Sequence, residues 1–133
     1  MSLTLKNMSV KPGKDLKITG VPKPDAEGFS VNIGHSDNDI ALHFNVRFNQ
    51  HGDHHVIVFN SRQGGSWCSE QREHHFPFEQ GEEFKVTINY NSDEFHIKIP
   101  GDHTVTFPNR FGEDKFMYIE VLGDVKIKGF KIN

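Results

Sequence analysis

Within thirty residues the chain gathers His43, Asn45 and Arg47 in HFNVRF, Asn60 in HVIVFN, and Trp67, Glu70 and Arg72 in SWCSEQR. Counted from Ile40, one parity of the first stretch holds Ile40, Leu42, Phe44, Val46 and Phe48. The other holds Ala41, His43, Asn45 and Arg47. Successive side chains of a strand point to opposite faces, so one face is apolar and the other presents three different hydrogen-bonding groups in a row. A face that merely meets water needs only Lys, Glu and Thr. Glu70 and Arg72 are two apart and share a face. If these segments are neighbouring strands of one sheet, Arg47, Glu70 and Arg72 form a network in which the Glu70 carboxylate orients two guanidinium forks. Beside it Trp67 offers a flat, polarisable surface. Such a set suits a pyranose, whose paired hydroxyls bind planar side chains and whose C–H ridge packs on an aromatic face. The plainer reading is a solvated face with a surface ion pair worth about 0–1 kcal/mol, and a single Trp is more often core than platform.

The elements that must position these residues are strands. LTLKNMSV, DLKITG, GFSVNIG, DIALHFNVRFN, HHVIVFNS, EFKVTINY, EFHIKI, HTVTFP, MYIEVLG and DVKIKGFKIN alternate or run apolar over strand length, broken by Gly, Pro, Asn and Asp. RFGEDKF (110–116) is the best candidate for a helical turn and is too short to matter. The spacing predicts an all-β sandwich or barrel in a single domain over residues 1–133. In HVIVFN both parities are largely apolar, which places the strand mid-sheet with Asn60 emerging on the Val58 side. In VKIKGFKI the apolar parity slips across Gly129, and a bulge there restores inward pointing.

The chain has 133 residues, 15 basic against 18 acidic, and a formal net charge of -3. No basic run suggests nucleic acid, and no stretch is long and apolar enough to enter a membrane. Twelve Phe against one Trp and two Tyr is a heavy use of one β-favouring aromatic. Cys68 is the single cysteine, so no internal disulfide forms. The first ten residues lack the apolar stretch of a signal peptide. Cytoplasmic synthesis is therefore expected, with any work outside the cell reached by a non-classical route. The Asn7-Met8-Ser9 triplet matches a glycosylation sequon and is read as chance.

H-x-N-x-R (His43, Asn45, Arg47), V-x-N ending at Asn60, and W-x-x-E-x-R (Trp67, Glu70, Arg72) resemble the galectin signature in order and spacing. KPG, FSVNIG, HGD, FPF, FPNR and VKIKGFKI extend the likeness to prototype galectins through nearly the whole chain. The resemblance implies a jelly-roll β-sandwich of two antiparallel sheets, without significant helix, that holds a β-galactoside on a concave sheet. It implies that His43, Asn45 and Arg47 meet the axial 4-hydroxyl of galactose and that Trp67 stacks on its apolar face. Asn60 and Glu70 would take the 6-hydroxyl, and Arg47, Glu70 and Arg72 the neighbouring sugar. His51 and Asp53 of HGD look like the loop residues that reach that second sugar. It further implies a homodimer joined through terminal strands, cross-linking glycoproteins and glycolipids, with no cofactor and no catalysis.

One departure is clear: the family usually has H-F-N-P-R, and here Val46 stands in place of the proline. Val46 lies on the apolar parity, so the site is expected to survive. Phe59, where a cysteine is common in the prototype branch, is on an inward parity too. The rival readings are weaker. Adjacent His residues in HGDHH and EHH point to opposite faces and cannot chelate together; His51 with Asp53 could take a metal only adventitiously. A glycosidase built on Glu70 and Asp53 needs one carboxyl that holds its proton, whereas Glu70 has arginines for neighbours. A lipid-binding barrel would need capping helices. A non-catalytic structural protein of the same fold, with weak or no sugar binding, is the remaining alternative.

Overall fold

Alternating apolar and polar residues become strands along most of the chain. The computed structural model describes residues 2–133, without the side chains of Ser2 and Ser9, so the hydroxyl of the Asn7-Met8-Ser9 triplet lies outside the described residues. In order the strands are β1 (Ser2–Val10), β2 (Leu16–Pro22), β3 (Gly28–Ser36), β4 (Asp39–Gln50), β5 (Asp53–Gln63), β6 (Ser66–Trp67), β7 (Gln71–Glu73), β8 (Phe84–Tyr90), β9 (Glu94–Ile99), β10 (His103–Pro108), β11 (Phe116–Gly123) and β12 (Val125–Ile132). All ten expected segments are among them. β6 and β7 fall outside those ten, since two and three residues are too short for a period of two to register. They come from the SWCSEQR stretch expected beside HFNVRF and HVIVFN, which is split into two short strands. RFGEDKF forms turns, and no helix occurs among the described residues.

The strands make two antiparallel sheets, one ordered β1-β11-β3-β4-β5-β6 with β7 also pairing β5, the other ordered β10-β9-β8-β2-β12. This is the all-β sandwich that the spacing predicts. Phenylalanine rings bridge the layers. Phe29 of β3 stacks on Phe84 of β8 with centroids 5.0 Å apart, and Phe78 meets both rings edge-on. Phe59 of β5 lies 6.2 Å from Phe107 of β10. A gap of roughly 10 Å between facing sheets is filled best by large flat side chains, which accounts for the bias toward Phe.

Register and turn geometry fix two local features of the sheets. In the β12–β2 pair, Ile127 faces Gly20 and Gly129 faces Thr19, so Lys128 is the extra residue of a bulge at the expected place. In the β4–β5 hairpin, Gln50 pairs with Asp53, and His51 and Gly52 between them both have positive φ, 52° and 79°. Positive φ at both central positions marks the type I′ turn, whose twist suits a tight hairpin. The turn returns Asp53 to the sheet directly beside the polar end of β4.

Candidate functional site

The polar parity of β4 faces away from the core of the larger sheet, while Val46 beneath it is 0% exposed. Cross-strand pairing sets His43 opposite Asn60, Asn45 opposite Val58, and Val58 opposite Arg72; Trp67 pairs with Arg62. The three segments thus lie side by side, as the sequence reading required. They border an open groove of ≈ 570 Å³ lined by His43, Asn45, Arg47, His51, Asn60, Trp67 and Glu70, with Ser30, Val58 and Cys68. The other two expected residues, Asp53 and Arg72, stand beside that lining and bond to its Arg47 and Glu70.

The ion-pair network is centred differently from the expectation. Arg47 donates from Nη1 to Asp53 Oδ2 at 2.6 Å and from Nε to Asn45 Oδ1 at 2.7 Å. Arg72 donates from Nη1 to Asp53 Oδ1 at 3.1 Å, and from Nε and Nη2 to Glu70 Oε1 at 3.2 and 3.0 Å. The carboxylate that joins two guanidinium groups is therefore Asp53, not Glu70. The I′ turn explains it, since it opens β5 with Asp53 between the two arginines, whereas Glu70 precedes β7 and, among the described residues, bonds to Arg72 alone. Hydrogen bonds from Arg72 and then Arg47 hold the Asp53 carboxyl below the usual carboxylate range.

Asn45 and Asn60 are 2% and 5% exposed, so this is no solvated face. Asn45 donates to Phe29 O at 3.0 Å and to Gln50 Oε1 at 3.1 Å while accepting from Arg47. Asn60 donates to Cys68 O at 3.1 Å, which ties the segment after Trp67 down onto β5. Trp67 is 49% exposed. Its ring lies 4.6 Å from the His43 ring, and the Arg62 guanidinium is 5.2 Å from its centroid. The Trp is exposed and lies outside the core cluster.

Burial, with the positive charge of Arg47 next and those of His51 and Arg62 behind it, lowers the His43 pKa from 6.5 to about 4. The ring is neutral at physiological pH. Because the folded value is depressed, stability from this site is complete above pH 6.5 and declines as pH falls toward 4, where the unfolded chain binds a proton that the folded one refuses. The difference is on the order of 3 kcal/mol. Denaturant titrations across this window should show a shallower decline for His43→Gln than for the wild type; parallel profiles would mean that His43 titrates normally.

A family model described as galactoside-binding lectin matches residues 1–132. The chain belongs to the galactoside-binding lectins. It is 46% identical over 125 residues to the beta-galactoside-binding lectin of Electrophorus electricus, covering 94% of this chain and 92% of that one. It is 44% identical over 126 residues to galectin-1 of Ovis aries, with 95% and 93% covered. Among solved structures, CG-16, a homodimeric agglutinin from chicken liver, superposes with a TM-score of 0.96 at 39% identity over 100% of both chains.

Sequence reasoning about this lectin missed a supporting set. Gln50 steadies Asn45, Arg62 faces Trp67, and Asn32 of β3 lies 2.6 Å from His43 Nδ1 through its Oδ1. Arg110 donates to Ser61 Oγ at 3.0 Å beside Asn60. Only Asn32 left a trace in the pattern, as the polar parity of FSVNIG.

Proposed function

We propose that this lectin binds lactose- and N-acetyllactosamine-type β-galactosides, performs no chemistry on them, and cross-links glycoconjugates as a homodimer. The observation that carries the reading is the Asp53-centred arginine frame set beside an exposed Trp67. Fixed donors at Arg47 and Arg72 suit adjacent sugar hydroxyls, and the indole suits the C–H face of a pyranose. His43, Asn45 and Arg47 would meet the galactose 4-hydroxyl, and Asn60 and Glu70 the 6-hydroxyl. Arg47, Glu70 and Arg72, with His51 and Asp53 behind them, would hold the second sugar. The ionised, arginine-bound Asp53 is ill suited to the acid role that glycoside hydrolysis requires, which supports binding without turnover. Isothermal titration should give one lactose site per chain and no sucrose binding. Absence of lactose binding would favour the structural-protein alternative.

The dimer reading rests on the sheet edges. β1 ends the larger sheet and β12 ends the smaller one, so among the described residues the first and last strands each have one edge outside the sheet pairing. Long open edges invite indiscriminate pairing, and a two-fold interface closes them. Two outward sites on one rigid body turn the second sugar contact into an intramolecular event, which supports agglutination by weak sites. Sedimentation equilibrium at micromolar concentration should give twice the 15.2 kDa chain mass. Lactose should block red-cell agglutination; a strict monomer that still agglutinates would overturn the reading.

A further inference from the structure

Register places Glu120 of β11, Asn32 of β3, His43 of β4 and Asn60 of β5 in one row across the sheet that carries the groove. The first three of these side chains are linked end to end. Tyr118 Oη donates to Glu120 Oε2 at 2.8 Å, and Asn32 Nδ2 donates to Glu120 Oε1 at 3.0 Å. Asn32 Oδ1 then lies 2.6 Å from His43 Nδ1. A carboxylate only accepts, so the end of the Asn32 amide that faces Glu120 must be the NH2. Its oxygen is thereby turned toward the imidazole, and an oxygen that only accepts requires a hydrogen on Nδ1.

We propose that Tyr118, Glu120 and Asn32 are positioning residues that fix His43 as its Nδ1–H tautomer, so that Nε2 offers the sugar a bare acceptor. The proposal rests on the sugar-binding reading for its consequence, but not for the tautomer itself. A fixed tautomer requires a neutral ring, and the surroundings of His43 keep it neutral. Arg47 on β4, His51 in the turn and Arg62 on β5 disfavour a second proton on the imidazole, and burial does so most. Burial also pushes the Tyr118 phenol up to about 12, which keeps it a donor to Glu120. Asn32 is 3% exposed and makes both contacts away from solvent. A buried polar group of this kind has few alternative partners, so its orientation is set by the relay.

The tautomer decides what the groove can accept. Arg47 only donates and His43 only accepts, so a group lying between them must do both. A hydroxyl meets that requirement; an ether or a fluorine does not. The relay therefore acts on selectivity from two strands away, without touching the ligand.

The test begins with the ligand-free protein. Nitrogen-15 NMR of the imidazole at neutral pH should show a hydrogen-bearing Nδ1 and a bare Nε2; the opposite pattern overturns the proposal whether or not sugar binds. Glu120→Ala frees the Asn32 amide to turn and should give mixed tautomers with about tenfold weaker lactose binding. Glu120→Gln keeps an acceptor for Asn32 and should stay close to wild type in both. Replacing the galactose 4-hydroxyl of lactose by fluorine should cost the wild type about tenfold or more and Glu120→Ala much less. An equal fluorine penalty in the two proteins, or an unchanged tautomer in Glu120→Ala, overturns the relay. A wild type with the Nδ1–H tautomer that fails to bind lactose would leave the relay standing and remove the sugar reading instead.

Discussion

Arg47→Ala should weaken lactose binding by at least about thirty-fold, the lower end of what truncating one partner of a desolvated, hydrogen-bonded charge pair costs. The side chain is 11% exposed and each end is committed, Nε to Asn45 and Nη1 to Asp53. Its removal takes a donor from the groove and leaves Asn45 Oδ1 and one oxygen of Asp53 without their partner. Asp53→Ala should produce a loss of similar size, because two guanidinium groups then lose the carboxylate that holds both in place. Double-mutant cycles discriminate between the two candidate hubs. Arg47 should couple to Asp53 far more strongly than to Glu70, with which it forms no hydrogen bond or ion pair among the described residues. A folded Arg47→Ala protein that keeps lactose affinity within about threefold would remove the frame from the binding account.

Trp67→Ala should cost about ten- to hundred-fold in affinity, since losing the apolar cover of a sugar face by a large aromatic is worth about 1.5–3 kcal/mol. Trp67→Tyr should fall between, in keeping with its smaller ring area. The indole is half exposed and outside the core cluster, so neither change should lower folding stability by more than about 1 kcal/mol. This separates a platform from a structural role: affinity moves and stability does not. The chain has a single Trp, so its emission reports the site alone. Lactose should shift that emission and sucrose should not. Equal affinity in the three proteins would mean that the sugar lies elsewhere on the sheet.

The amino-acid sequence determined the strands, their inward and outward faces, and most of the side chains that line the groove. These are local properties. HFNVRF alternates, so His43, Asn45 and Arg47 share one face whatever the rest of the chain does, and Val46 must point the other way. Gly129 marked its bulge for the same reason. What the tertiary structure alone decided are relations between strands. Asp53 displaced Glu70 as the shared carboxylate because two positive-φ residues, His51 and Gly52, fold the chain back beside Arg47. Trp67 came to lie exposed beside His43 where Asn60 pins the segment after it, through the carbonyl of Cys68. Asn32 and Glu120 came to govern His43 because the registers of β3 with β4 and of β11 with β3 align them. Alternation fixes which face a side chain takes; only register and turn geometry fix which neighbour it meets, and a hydrogen bond depends on the neighbour.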